Sequence, residues 1–191
     1  MKVIGITGGV GAGKSRILAI LQEEYNAWTI QADEVAKALE EPGQPGFEGL
    51  LAAFGPSLLT EDQVIDRRRL AELIFRDPQA LKQVNEIIHP LTWAAIKAQV
   101  RDSDADLIAV EAALFGRQSR EICTELWYVD SSVENRIRRL QESRGYDREK
   151  CCRMMDSQPS REEFLALADR VIDNNGTLAE VRQQIKEILE G

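Results

Sequence analysis

One eight-residue segment constrains the fold of this chain more than any other. Residues 8–15 read GGVGAGKS and match the pattern G-x-x-x-x-G-K-[ST] at its required spacing. An apolar strand pattern at residues 3–7 precedes the segment, and a helical pattern over residues 15–25 follows it. In such a unit the glycines let successive N–H groups turn toward phosphate oxygens, and the helix adds the positive end of its dipole. The segment therefore predicts a P-loop that binds nucleotide phosphate.

Two side chains at the end of this loop carry the chemistry. A lysine in the place of Lys14 reaches the β- and γ-phosphates, and a hydroxyl in the place of Ser15 holds Mg²⁺. The alternative for the same residues is a glycine-rich turn that binds no ligand. The strand before the loop and the helix after it favour the phosphate site.

The rest of the chain alternates strand and helix patterns. Further strand patterns lie at residues 28–30, 106–111, 126–130 and 170–173. Strands that alternate with helices predict an α/β fold with a parallel, doubly wound sheet. Between the second and third strands, a Pro- and Gly-rich break at residues 41–46 is followed only by helical patterns over residues 47–102. That stretch is too long for one crossover, so we expect a helical insertion beside the sheet.

The charge of the chain is unevenly distributed. Lys and Arg number 24 against 32 Asp and Glu, a net charge of −8, which argues against a long nucleic acid as partner. Residues 136–153, however, contain seven basic residues and only three acidic ones. Guanidinium groups stabilise the charge of a phosphoryl-transfer transition state, and Arg139 and Arg144 lie just before a turn at Gly145. We interpret the segment as a lid over the phosphates; a solvated helix face is the alternative.

Several classes of protein are disfavoured by what the sequence lacks. No apolar run approaches the ~18 residues of a membrane span, and the first residues do not resemble a secretory signal, so we expect a cytoplasmic protein. The three cysteines suit neither a disulfide framework nor a zinc site and are expected to be structural thiols.

Regulatory GTPases usually carry an Asn-Lys-x-Asp motif, and this chain has no Asn-Lys dipeptide. A small-molecule kinase of the nucleotide-kinase type fits best.

Several separated motifs together resemble one family, the dephospho-coenzyme A kinases, over nearly the whole of residues 1–189. The similarity rests on residues 4–15, on Asp33 after the second strand, on the His89-Pro90 pair, on Arg139-Leu140 with Arg144, on Gln158, and on residues 168–176. The chain departs from the usual family pattern at four places. The family usually has Asp in the place of Gln31 and Thr or Ser in the place of Arg16. It usually has Pro-Leu-Leu-Phe-Glu where residues 112–116 read AALFG, and its lid arginines are spaced one residue differently. These departures indicate a divergent branch.

The resemblance implies transfer of the γ-phosphate of ATP to the ribose 3′-hydroxyl of dephospho-CoA. Asp33 would accept the proton of that hydroxyl, and it also suits the N-cap of a helix over residues 34–39. Glu111, at the end of the third strand, would face Mg²⁺ or substrate, or is simply a strand-end charge. His89 is either a substrate contact or a structural hydrogen-bonding residue. For Asn174 and Gly176, adenine contact and turn chemistry are both open.

These inferences define a predicted architecture and site. The expected fold is a three-layer α/β P-loop NTPase fold. Its core comprises residues 1–33, 103–135 and 168–191, with a helical substrate-binding insertion at 34–102 and an arginine-rich lid at 136–167. The predicted catalytic residues are Asp33, Lys14, Arg139 and Arg144. The predicted ATP-binding residues are Gly9, Gly11, Ala12, Gly13, Lys14, Ser15, Arg16, Asn174 and Gly176. The predicted substrate-binding residues are Asp33, His89 and Glu111, and Ser15 is the predicted Mg²⁺ ligand.

The expected partners are ATP, Mg²⁺ and dephospho-CoA, without nucleic acid or membrane, for a monomer or small homo-oligomer. Two alternatives remain beside this reading. One is another nucleoside- or nucleotide-type P-loop kinase. The other is a nucleotide-binding protein without catalytic activity.

Overall fold

A five-stranded sheet forms the centre of the fold. The computed structural model describes residues 1–191. The strands are β1 (Lys2–Thr7), β2 (Trp28–Gln31), β3 (Leu107–Glu111), β4 (Glu125–Asp130) and β5 (Arg170–Asp173). Their order in the sheet is β2-β3-β1-β4-β5, and β1 pairs in parallel with both β3 and β4. The central strand therefore leads directly into the predicted phosphate loop.

Ten α-helices accompany the sheet. They are α1 (Lys14–Tyr25), α2 (Ala32–Leu39), α3 (Pro45–Phe54), α4 (Arg67–Arg76), α5 (Pro78–Arg101), α6 (Arg117–Arg120), α7 (Val133–Arg144), α8 (Arg148–Asp156), α9 (Arg161–Leu167) and α10 (Leu178–Glu190). No helix combines the length and apolar character needed to cross a bilayer.

The chain divides into two compact units, residues 1–29 with 104–191 and residues 30–103. In the first unit, β1, β4, α1 and α10 share an apolar core that includes Ile4, Ile17, Trp127 and Val181. In the second unit, the helices share a separate core, which includes Phe47, Leu50, Leu70 and Ile88. Each unit therefore has its own buried apolar cluster.

Local signals explain where the functional helices begin. Ser132 caps α7 by accepting from the Asn135 N–H at 3.3 Å, and Gly145 ends the helix in the left-handed region, with φ 64°.

The expectation that Asp33 caps the second helix was wrong. Gln31 is the N-cap of α2, and Asp33 lies in the first turn, because the helix already begins at Ala32. Alanine is the best intrinsic helix former, which favours this earlier start.

The other predicted elements are confirmed. The five strands lie within one or two residues of their predicted positions, and no strand interrupts the helices between β2 and β3. The helical stretch after β4 is broken at the two predicted places, near Gly145 and around Pro159. The short helix α6 had no counterpart in the sequence prediction, because four residues are too few to show a period. The α/β fold with a parallel sheet is thus confirmed.

The three cysteines differ in accessibility, which gives a testable outcome. Cys151 is fully buried, Cys152 is half-buried, and burial raises the pKa of the Cys123 thiol to about 12. Because the thiolate is the reactive form, we expect a disulfide reagent at pH 8 to label only Cys152 rapidly in the native protein. All three thiols should react in denaturant. Loss of the fast phase in Cys152→Ser is the matched control, and a fast phase that persists in that variant would contradict the assignment.

Candidate active site

The loop between β1 and α1 is a tight turn followed by a helix start. The Ala12 N–H donates to the Gly9 carbonyl at 3.0 Å, and Gly11, at the third position of this turn, has φ 75°. A type II turn requires positive φ there, and glycine adopts it without strain. The N–H groups of Gly11, Gly13, Lys14 and Ser15 donate to no acceptor within the chain. They are the donors that a phosphate would occupy.

Lys14 is held at the base of this loop. Its Nζ donates to the Gly8 carbonyl at 2.9 Å and forms an ion pair with Glu111 Oε1 at 3.4 Å. Both side chains are only 16% exposed. Glu111 ends β3, as predicted, so the end of a neighbouring strand supplies the carboxylate that contacts the loop lysine.

Arg139 approaches the loop from α7. Its Nη1 donates to the Ala12 carbonyl at 3.0 Å and to Ser131 Oγ at 2.9 Å, and its Nη2 donates to the Asn174 carbonyl at 2.6 Å. Burial lowers the pKa of Arg139, and the charges of Arg16 and Arg138 lower it further. In this arrangement the guanidinium binds the carbonyl oxygens on the outside of the loop. Its direct contact with phosphate stays a prediction.

The turn after β5 supplies a second hydrogen-bond donor to the Ala12 carbonyl. Asn174 is 2% exposed, and its Nδ2 donates to the Ala12 carbonyl at 2.7 Å. A Cβ on Gly13 would overlap the same amide group, so only glycine fits opposite Asn174. Gly176 lies exposed just before Thr177, the N-cap of α10. The structure thus brings Asn174 to the loop, while no contact joins Gly176 to it.

The remaining predicted residues lie on exposed surface. Arg144 ends α7 with its guanidinium carbon 6.0 Å from the centre of the Tyr146 ring, and Arg16 is exposed in the first turn of α1. Asp33 is exposed on α2 and His89 is exposed on α5, both within the second compact unit. The structure therefore gathers Lys14, Glu111, Arg139 and Asn174 around the loop.

Two residues at the loop were not among the predicted site residues. Arg136 lies on α7 and Gln158 follows α8, and both bind the backbone of Val10. Arg136 belongs to the basic segment and precedes Arg139 by three positions, so both lie on one helix face. That spacing is the signal in the sequence that could have identified it.

The donor set at the loop fits Mg²⁺ better than a softer metal. No group of three or more His, Cys, Asp or Glu side chains is gathered for a metal ion. The oxygen donors at the loop are the exposed Ser15 hydroxyl and the Glu111 carboxylate. Mg²⁺ is usually bound by one or two protein oxygens, with substrate phosphates and water as the other ligands. These residues therefore suit an ion that arrives with a nucleotide.

A phosphate loop on the central strand of a parallel sheet, with an arginine-bearing helix against it, defines a P-loop kinase. The crystal structure of TT1252 from Thermus thermophilus is similar, with a TM-score of 0.83 and 27% identity, covering 99% of this chain and 96% of that one. A dephospho-CoA kinase from Campylobacter jejuni has the same fold, with a TM-score of 0.70 and 24% identity, covering 100% of this chain and 96% of that one.

The sequence comparisons identify the family. The family described as dephospho-CoA kinase matches residues 2–180. A dephospho-CoA kinase from Carboxydothermus hydrogenoformans is 34% identical over 194 residues, which cover 100% of this chain and 94% of the relative. The chain belongs to the dephospho-CoA kinase family.

Proposed function

We propose that this chain transfers the γ-phosphate of ATP to the ribose 3′-hydroxyl of dephospho-CoA, producing CoA and ADP. The observation that carries the proposal is the complete phosphate loop of residues 8–15, in a chain whose whole length matches this family. The loop offers N–H donors without internal acceptors, and Lys14 adds an ammonium at its base. Such a site binds and orients a polyphosphate and stabilises the charge that develops during transfer.

We propose the following roles for the loop residues. Gly9, Gly11, Ala12 and Gly13 shape the nest, and Gly11 and Gly13 present their open N–H groups to the phosphates of ATP. Lys14 would move from Glu111 to the β- and γ-phosphates, and Ser15 would hold Mg²⁺, with Glu111 near the ion or its waters. Bound there, Mg²⁺ would neutralise negative charge on the phosphates.

Activation of the phosphate acceptor depends on Asp33 in this proposal. A ribose hydroxyl is a weak nucleophile, and a carboxylate that takes its proton in the transition state accelerates transfer. Asp33 follows β2 and exposes its carboxylate, and it is one of the residues on which the resemblance to the family rests. We propose that it is the general base. The helical insertion of residues 34–102, including His89, would bind the rest of dephospho-CoA.

The remaining predicted residues belong to the nucleotide side. Residues 136–167 would form the lid, with Arg139 and Arg144 as its phosphate-directed arginines and Arg16 near them. Asn174 and Gly176 would lie against the adenine. Arg139 and Asn174 already contact the loop, which supports placing the nucleotide there. We further propose that the protein acts in the cytoplasm as a monomer or small homo-oligomer, without nucleic acid or membrane.

Substrate choice tests the proposal directly. ADP release should be measured with dephospho-CoA, nucleoside monophosphates and adenosine as acceptors in parallel. We expect kcat/KM for dephospho-CoA to exceed that for the other acceptors by at least about 100-fold, because a substrate site leaves polar groups unpaired when an analogue lacks their partners. Preference for a nucleoside monophosphate would instead identify another P-loop kinase. ATP binding without transfer to any acceptor would identify a nucleotide-binding protein that lacks activity.

A further inference from the structure

Val10, at the tip of the phosphate loop, has both of its backbone polar groups held by side chains. Its N–H donates to Gln158 Oε1 at 2.7 Å, and its carbonyl accepts from Arg136 Nε at 2.8 Å. Arg136 Nη2 also donates to Gln158 Oε1 at 3.3 Å. The three residues therefore close a ring of hydrogen bonds, which we call the Val10 clamp.

The clamp joins the loop to two parts of the segment after β4. Arg136 lies in the first turns of α7, and Gln158 lies between α8 and α9. The Val10 side chain adds an apolar contact, because it packs against the cluster that α7 and α8 share. The buried members of that cluster are Ile137, Leu140 and Cys151. The position of Val10 is thus fixed by polar and apolar contacts together.

Arg136 is an unusual choice for a purely structural role. Burial lowers the pKa of Arg136, and its hydrogen bonds go to two neutral oxygens, one on Val10 and one on Gln158. Arg136 forms no ion pair, and the charge of Asp130, which pairs with Arg161, offsets only part of the cost of burying the guanidinium. Its guanidinium also occupies the space that a Cβ on Gly9 would need. The loop sequence and this arginine are therefore matched to each other.

The geometry of the peptide unit links the clamp to the phosphate site. In a planar trans peptide the C=O and the N–H of the next residue point in opposite directions. Because Arg136 holds the Val10 carbonyl on the outside of the loop, the Gly11 N–H must point to the opposite side. That N–H is among the donors without an acceptor in the chain. If the peptide turned over, the loop would present a carbonyl oxygen to an anion instead.

We propose that Arg136 and Gln158 are positioning residues that orient the Val10–Gly11 peptide for binding of the β-phosphate. The proposal rests on the proposed function, because it assumes that the loop binds the phosphates of ATP. Neither side chain needs to touch the nucleotide. Both act through Val10, and their effect is confined to ligands whose phosphates reach the tip of the loop.

Calorimetric binding of ADP and of AMP tests this role, since AMP lacks the β-phosphate. Arg136→Met and Gln158→Leu keep much of the side-chain length and remove the clamp's donor or acceptor. We expect each to weaken ADP binding about tenfold, the effect of one hydrogen bond, and AMP binding by less than about twofold. Gln158→Glu keeps an acceptor oxygen and should restore ADP binding to within about threefold of wild type. Arg138→Met, which removes an exposed charge from the same helix, should leave both affinities unchanged.

The outcomes separate the clamp from the proposed function. In a double-mutant cycle, Arg136→Met with Gln158→Leu should cost little more than either alone, because both act on one peptide. Equal losses for ADP and AMP, or unchanged ADP binding in both variants, would overturn the clamp. If wild type itself does not bind ADP more tightly than AMP, the phosphate site of the proposed function fails. Melting temperatures check that each variant is folded. If Arg136→Met unfolds, Arg136→Lys replaces it, because lysine keeps the charge but lacks the planar Nε donor. ADP binding unchanged from wild type in Arg136→Lys would then overturn the role of Arg136.

Discussion

Replacing Lys14 with alanine should lower the rate of phosphoryl transfer to dephospho-CoA by about 10³-fold, the scale on which one preorganised charge-stabilising donor acts. Lys14 is the only lysine in the phosphate loop, and its ammonium already lies at the base of the loop, 2.9 Å from the Gly8 carbonyl. The variant also leaves the Glu111 carboxylate without the cation 3.4 Å away. The site then loses an attraction for the phosphates of ATP.

The measurement is coupled ADP release at saturating dephospho-CoA, with ATP varied. Lys186→Ala is the matched control, because it removes an exposed lysine from α10 in the same compact unit. We expect the control to retain full turnover. Turnover within tenfold of wild type in Lys14→Ala would rule out its proposed contact with the phosphates.

The sequence predicted the fold well because the decisive signals are local. The loop spacing in residues 8–15 fixes a strand before it and a helix after it, and alternating apolar runs mark the other strands. Pro159 and Gly145 mark the helix breaks after β4 through backbone chemistry that does not depend on the rest of the chain. The parallel sheet then follows from the alternation of strands and helices.

The candidate site was predicted less completely, because its contacts join distant parts of the chain. Arg139, for example, donates to the carbonyl of Ala12, which is 127 positions away in sequence. Gln158 reaches Val10 across 148 positions. Helical spacing places Arg136 and Arg139 on one face, but it does not encode which face of a basic helix turns toward a loop so far away. Only the packing of α7 against the loop determines that choice.

Replacing Asp33 with asparagine should lower turnover by at least about 100-fold and leave ATP affinity near that of wild type, because a lost general base costs about 10²–10⁴ in rate. Asparagine has nearly the same shape and keeps an oxygen acceptor, but it does not take a proton from the ribose hydroxyl. The side chain is exposed in the first turn of α2, so we expect the fold to persist. Helix-dipole stabilisation by the carboxylate is worth only about 0.3–1 kcal/mol at such a position.

Glu34→Gln is the matched control, because it separates the proton-accepting role of Asp33 from the effect of losing a carboxylate at the start of α2. Glu34 is the next residue of the same first turn, and its carboxylate accepts from Lys37 Nζ at 2.6 Å on an exposed surface. Both variants remove one carboxylate from the start of α2 and therefore share the dipole effect. Turnover at saturating ATP and dephospho-CoA should fall in Asp33→Asn alone, while ATP affinity stays unchanged in both. If the two variants turn over equally well, Asp33 is not the base, and a different group must accept the proton as the 3′-oxygen attacks phosphorus.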